Sequence, residues 1–217
     1  GEPAWKRHVA SAVTTSRYAS GPPPQVAVRG NRLYVSTGVA GVACIDADTG
    51  RVRWTRLLTR DRMTVERAMG GGVAEQPGRL SPPLLLPAGL VVGLPTGDAH
   101  AFVLDPDTGA IRRRLSDAAW RPDHARLAVG GDVLSVGLRV RRFDGRTLEP
   151  RWSTRLAADD HPAAEGAVSG MPAATESHLV VPTETGLVVL TLDDGQVVRR
   201  LPGASGGHVT ALPVQLV

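Results

Sequence analysis

One ten-residue pattern returns several times along the chain, and this repetition constrains the fold more than any other feature of the sequence. Each copy begins with an apolar residue and a turn segment typically containing Asp, Thr and Gly, and continues into a run bearing Arg or Trp. The copies occupy residues 45–54, 104–113, 143–152 and, more loosely, 190–199, and the chain opens inside another copy at residues 1–5. With Gly1, Gly50, Gly109, Leu148 and Gly195 taken as equivalent, the steps are 49, 59, 39 and 47 residues. Periods of this size are typical of β-propeller blades.

The rest of each repeat predicts three further strands. Apolar, β-branched runs at 32–36, 90–93, 133–136 and 178–181 are predicted as second strands, and each is followed by a Gly-bearing link and a third strand such as 42–45 or 187–190. Shorter apolar runs at 25–28, 84–86, 127–129, 171–174 and 209–212 are predicted as innermost strands, buried on both faces. The sequence therefore predicts an all-β chain of about four antiparallel, four-stranded propeller blades.

The predicted organisation is a single partial propeller domain over residues 1–217. Residues 1–20 hold an end strand of a preceding blade, and residues 207–217 start a following one. The blades between them are predicted at 21–58, 80–118, 122–157 and 168–202. These stray end strands indicate either a longer parent chain or two copies that share a ring, and the abrupt apolar end favours the longer parent.

The Asp-x-x-Thr-Gly stretch is interpreted as a hairpin corner. Asp and Thr side chains bond local backbone groups, and Gly supplies the positive φ that such a corner often needs. These acids are therefore not expected to be catalytic.

Composition excludes several classes of protein. With 42% hydrophobic and 21% charged residues, the chain is not a disordered tail, and no apolar run approaches the roughly 20 residues of a membrane span. Lys6 is the only lysine, and no basic stripe interleaved with aromatics is present, so nucleic-acid binding is not expected. Cys44 is the only cysteine, which excludes an internal disulfide and any Cys-x-x-Cys motif.

The pattern Leu-Tyr-Val-x-Thr, followed by Ile-Asp-Ala-x-Thr-Gly-x-x-x-Trp, resembles the pyrroloquinoline-quinone (PQQ)-like repeat family. That family includes quinoprotein alcohol dehydrogenases and the non-catalytic propeller lipoprotein of the outer-membrane β-barrel assembly machine, and its propellers commonly have seven or eight blades. The resemblance implies that the Trp after each turn docks between neighbouring blades. The residues assigned to this docking are Trp5, Trp54, Trp152, Thr49, Gly50 and Gly109, with Thr49 and Gly50 placed beneath Trp54.

The chain departs from the family pattern at several positions. Arg113 and either Arg199 or Arg200 replace the Trp, Leu148 replaces the Gly, and Thr191 replaces the Asp. Those blades are expected to dock less regularly.

The resemblance also indicates which residues a cofactor site would need. Quinoprotein dehydrogenases resemble one another in having an adjacent cysteine pair, a Trp platform for the quinone and a carboxylate set that holds calcium. Because Cys44 stands alone, we expect no PQQ site within this chain. The six histidines never fall in a ligand-like short spacing, so no metal is expected, and no other cofactor or catalytic residue is predicted. The Gly-x-Ser-x-Gly match at 203–207 and the carboxylates and imidazole at 159–161 are interpreted as ordinary loops.

The sequence favours a non-enzymatic scaffold that binds a protein or peptide within a larger bacterial protein, in the periplasm or elsewhere outside the cytoplasm. Loops on a rigid scaffold often carry function, and residues 59–81 form a long insertion. The candidate interface residues are Arg17, Tyr18, Arg62, Arg67, Arg121 and His124. Two alternatives remain open: a fragment of a PQQ-dependent dehydrogenase, and a sensor propeller fused to a signalling domain.

Overall fold

The computed structural model describes residues 4–9, 24–37, 41–58, 82–93, 101–115, 120, 125–157 and 167–203. These residues fall into two compact units, divided between Arg121 and Pro122. Each unit contains two four-stranded antiparallel sheets in which the strands follow one another in chain order. The predicted all-β fold with four-stranded antiparallel blades is therefore confirmed.

Unit 1 holds the first two sheets. The strands of the first sheet are β1 (Gln25–Arg29), β2 (Arg32–Ser36), β3 (Gly41–Asp46) and β4 (Val52–Leu57). Those of the second are β5 (Leu84–Leu86), β6 (Gly89–Gly93), β7 (Ala101–Leu104) and β8 (Ile111–Leu115). The two sheets pack through one apolar cluster that includes Tyr34, Trp54, Leu90 and Phe102. The rings of Tyr34 and Trp54 lie 6.2 Å apart and are tilted by 49°, a favourable arrangement for two aromatic side chains.

Unit 2 repeats this plan. The strands of its first sheet are β9 (Ala125–Val129), β10 (Asp132–Val136), β11 (Arg139–Phe143) and β12 (Pro150–Arg155). Those of its second are β13 (Ala173–Ala174), β14 (His178–Thr183), β15 (Gly186–Thr191) and β16 (Val197–Pro202). A second cluster, which includes Leu134, Leu156, Leu179 and Leu190, fills the space between the two sheets. Each of these four leucines is fully buried.

A shift of register marks the same place in every sheet, between the third and fourth strands just before the turn. It falls at Cys44/Ile45, Val103/Leu104, Arg142/Phe143 and Val189/Leu190. A bulge increases local twist and re-aims the side chains that follow it. Each copy of the sequence pattern thus coincides with the same backbone irregularity.

The prediction that first strands are buried on both faces is wrong for β1. Val26 and Val28 are 48% and 63% exposed, whereas the residue between them, Ala27, packs against the core of unit 1. Successive side chains of a strand point to opposite faces, so only one face of β1 meets this core. A run of small apolar residues did not distinguish a strand buried on one face from a strand buried on both.

Candidate functional site

The repeated turn is built around its first aspartate. In the first sheet, Oδ1 of Asp46 accepts hydrogen bonds from the backbone N–H of Thr49 at 3.1 Å and from its hydroxyl at 2.9 Å. Oδ2 accepts from Nη2 of Arg53 at 2.6 Å. The Arg53 bond, followed by the two Thr49 bonds, lowers the pKa of Asp46 to about 2. The carboxylate therefore stays charged and both of its oxygens accept hydrogen bonds, which suits a structural role in the hairpin turn.

The same arrangement recurs in the next two sheets. Asp105 accepts from the N–H of Thr108 at 2.8 Å and from Arg112, and these bonds lower its pKa to about 2. Asp144 accepts from the N–H of Thr147 at 3.0 Å and from Arg151 at 2.6 Å, and its pKa is lowered still further.

The arginine that completes each of these turns was missed by sequence reasoning, although its signal is present. It stands seven residues after the aspartate in all three turns. In the fourth turn Thr191 replaces the aspartate, and the seventh residue after it is Val198. There the Thr191 hydroxyl donates to Asp194, and this bond lowers the pKa of Asp194. Aspartate and arginine are thus present together or absent together.

Three tryptophans dock onto the turn of the following repeat. The indole N–H groups of Trp5, Trp54 and Trp152 donate to the carbonyl oxygens of Ala47 at 2.9 Å, Pro106 at 3.1 Å and Leu192 at 2.9 Å. Each ring also covers the turn glycine. A Cβ added to Gly50, Gly109 or Gly195 would lie 2.5 Å from the nearest ring carbon of Trp5, Trp54 and Trp152, respectively.

The predicted pairing of Trp54 with Thr49 and Gly50 is therefore wrong. Gly50 lies beneath Trp5, and Trp54 covers Gly109 instead. The reason is geometric: Trp54 lies on β4, and its ring projects from the first sheet to the corner between β7 and β8 of the second. Each of the three tryptophans thus docks on the repeat that follows it, and the turn of the first sheet receives Trp5.

A side chain beside each of the three tryptophans strengthens the docking. Nε of Arg7 donates to the carbonyl oxygen of Gly50, and Nε of Arg56 to that of Gly109, both at 2.9 Å. Each arginine stands two residues after its tryptophan. In the third sheet, Thr154 has this position and donates to the carbonyl oxygen of Gly195 at 2.7 Å.

The register settles which residues replace tryptophan in the other two sheets. Trp54 pairs with Cys44, immediately before the shift of register. The equivalent pairs are Arg113 with Val103 and Arg199 with Val189, so Arg199 occupies the tryptophan position, and Arg200 does not. Leu148, at the glycine position, has a φ of 65° and is almost fully buried.

One carboxylate among the described residues is buried, and it is also fully engaged. Oδ2 of Asp132 receives Nε of Arg142 at 2.7 Å and lies 3.3 Å from Nε of Arg151. Its Oδ1 accepts the N–H of Gly145 at 3.0 Å. Because Arg142 also donates to the carbonyl oxygen of Leu192 at 2.6 Å, this ion pair ties β10 and β11 to the turn that Trp152 covers.

Several predicted residues are outside the described part of the chain. These are the candidate interface residues Arg17, Tyr18, Arg62, Arg67, Arg121 and His124, together with residues 159–161 and 204–207.

Among the residues that are described, no three His, Cys, Asp or Glu side chains gather as a metal site would require. Cys44 is fully buried in the core of unit 1, and burial raises the pKa of its thiol. None of the described helical segments is long and apolar enough to cross a membrane.

Comparison with known proteins identifies the family to which this chain belongs. A family model described as outer membrane protein assembly factor BamB matches residues 1–121, more than half of the chain. This chain belongs to the BamB-like, PQQ-like repeat family. No curated protein matches its sequence.

Solved structures show the same fold at low sequence identity. BamB from Moraxella catarrhalis is 18% identical with a TM-score of 0.57, over 84% of this chain and 50% of that protein. Quinohemoprotein alcohol dehydrogenase ADHIIG from Pseudomonas putida HK5 is 16% identical, with a TM-score of 0.59, over 82% and 33%. The quinohemoprotein alcohol dehydrogenase from Comamonas testosteroni is 17% identical, with a TM-score of 0.60, over 84% and 35%. The BamB-like chain thus spans half or less of these proteins.

Proposed function

We propose that this BamB-like chain is a non-enzymatic propeller scaffold that binds a protein or peptide partner within a larger, extracytoplasmic bacterial protein. The observation that carries the proposal is the state of four described carboxylates, those that open three of the turns and the buried one on β10. Asp46, Asp105, Asp144 and Asp132 are each held by backbone N–H groups and by arginine. A general base or a calcium ligand needs oxygen lone pairs that are free to accept a proton or an ion. In these groups the oxygens accept hydrogen bonds that hold the fold.

The family match supports the proposal independently. A family model described as an outer membrane protein assembly factor matches the first 121 residues, and assembly of other proteins requires contact with them. That description also supports a location outside the cytoplasm. Rigid blades with repeated, locked corners are a suitable platform for loops and strand edges that contact a partner.

A quinoprotein dehydrogenase fragment is the second candidate. The two quinohemoprotein alcohol dehydrogenases support it, since each aligns with more than four fifths of this chain. Under that function, the described residues would be a structural part of a PQQ-binding protein. The burial and solitary position of Cys44 favour the scaffold over this candidate.

Site-specific photocrosslinking in the native bacterium tests the scaffold function. A photoreactive amino acid replaces, one at a time, each predicted interface residue in the full-length protein: Arg17, Tyr18, Arg62, Arg67, Arg121 and His124. The same residue at Gly130, a hairpin corner with no side chain nearby, is the matched control. We expect a discrete adduct with a second protein from one or more interface positions, and none from the control. Absence of adducts at every interface position would overturn the proposal.

A further inference from the structure

The described part of unit 1 carries a marked excess of positive charge. It has ten basic residues and four acidic ones. The basic residues are Lys6, Arg7, Arg29, Arg32, Arg51, Arg53, Arg56, Arg112, Arg113 and Arg114, and the acidic residues are Asp46, Asp48, Asp105 and Asp107. Three of the four acids already bind an arginine of the same unit. The described part of unit 2 has nine basic residues and seven acidic ones, so its excess of positive charge is two, against six in unit 1.

This charge is densest on the last strand of the second sheet. β8 carries three consecutive arginines, and its first four residues are all exposed. Arg112 keeps 52% of its side chain exposed even though it binds Asp105. The guanidinium of Arg114 lies 5.7 Å from the centre of the Phe102 ring, an arrangement that leaves its full charge in place.

The same strand is an open sheet edge. Among the described residues, β8 has β7 as its strand neighbour on one side and none on the other. Such an edge offers a row of backbone donors and acceptors to an incoming strand. Ile111, which is 38% exposed, adds an apolar contact at its beginning.

We propose that the β8 edge, residues Ile111–Leu115, binds an extended acidic peptide of the partner protein by strand addition. Arg114 pairs with Phe102, and the exposed Arg112 stands at the shift of register close before it, so acidic residues of an added strand would meet both charges. Another arginine-rich edge would be repelled at these positions, which selects against pairing with a second copy. This inference rests on the proposed partner-binding function.

A protein strand fits this surface better than single-stranded nucleic acid, the other extended polyanion. Nucleic-acid grooves combine positive charge with exposed aromatic rings on which bases stack. In unit 1, the described aromatic side chains of Tyr34, Trp54, Phe102 and Trp120 are buried, and Trp5 is stacked on Gly50. The open backbone edge, by contrast, is complementary to another peptide backbone.

Fluorescence anisotropy with defined peptides tests the inference on the full chain. The probe is a labelled peptide of alternating Glu and Val, and two further probes have Lys in place of Glu or Pro in place of alternate Val. We expect saturable binding of the Glu peptide that weakens as salt is raised. The Lys peptide should not bind, and the Pro peptide should bind at least tenfold more weakly because proline lacks a ladder donor and does not fit a paired strand.

Two matched variants locate the binding. Arg114 lies opposite Phe102 in its sheet, and Arg200 lies opposite Val188 at the equivalent position of β16. We expect R114E to weaken binding of the Glu peptide about tenfold and R200E to change it less than twofold, with both variants folded by circular dichroism. Equal effects of the two variants, equal binding of the Pro peptide, or equally tight binding of a single-stranded oligonucleotide of the same charge would each overturn the inference. If the peptides fail to bind while photocrosslinking still yields a partner, the scaffold function stands and the β8 edge is excluded.

Discussion

Replacing Gly109 with alanine tests the docking of tryptophan on the turn. Gly109 has a φ of +70°, and a Cβ at this residue would lie 2.5 Å from Cε3 and 2.7 Å from Cδ2 of Trp54. The positive φ alone costs a residue with a side chain about 1–2 kcal/mol. Relief of the clash must move a ring that is 9% exposed and hydrogen-bonded to Pro106, and overpacking of this kind costs about 1–3 kcal/mol. We therefore expect a total loss of about 2–5 kcal/mol.

Gly30 provides the matched control. Its φ is +57°, and a Cβ there would meet no atom within 4 Å. Gly30→Ala should therefore lose only the conformational cost, about 1–2 kcal/mol. Leu148, which has a φ of 65°, shows that a turn in this fold accepts a side chain at such an angle.

Urea denaturation of the two variants, followed by circular dichroism, measures the difference. We expect both variants to keep the slope of the parent protein, because the surface exposed on unfolding is unchanged. The midpoint of Gly109→Ala should fall clearly below that of Gly30→Ala. Equal midpoints would refute the reasoning, because backbone conformation alone would then account for the glycine.

Three further predictions follow from the same geometry. Trp54→Ala should destabilise the protein by roughly 3–5 kcal/mol, the usual range for removing a core aromatic, and an unchanged denaturation midpoint would remove the docking assignment. The folded-state pKa values of Asp46 and Asp105 are lowered to about 2, below their unfolded values near 4, so the stability they contribute is present above pH 4 and lost as the pH falls toward 2. Thermal midpoints measured from pH 6 to pH 2 should therefore fall steeply, and D46N/D105N should flatten that fall, whereas an identical profile would contradict the turn electrostatics. The Cys44 thiol should resist a maleimide reagent in the folded protein and react once urea unfolds it, because it is fully buried and its pKa is raised; rapid labelling of the folded protein would contradict this.

Much of the fold follows from local rules that the sequence displays. A repeated turn with glycine at the positive-φ position, between β-branched runs, predicts antiparallel strands at a blade-like period. The structure has Gly50, Gly109 and Gly195 at positive φ in those corners. The Asp–Arg spacing of seven residues is equally visible in the sequence, but the arginine lies on the strand after the turn, so the turn motif alone does not include it.

Other features depend on packing between repeats, which a single repeat does not reveal. The turn beneath Trp54 belongs to the next sheet, so reading each repeat separately placed the wrong glycine under it. The sequence of β1 likewise does not reveal that one of its faces is exposed, because Val26 and Val28 are the residue types found in any apolar strand. The three consecutive arginines of β8 are visible in the sequence, but they become a binding candidate only once they lie on a sheet edge that is open among the described residues.

Calorimetric titration of the full-length protein with PQQ in the presence of Ca²⁺ tests the central claim most directly. The scaffold account predicts heats of dilution only, and no reduction of an artificial electron acceptor when an alcohol is added. Saturable binding of one PQQ per chain, accompanied by alcohol-dependent reduction of the acceptor, would contradict the account and make the protein a quinoprotein dehydrogenase.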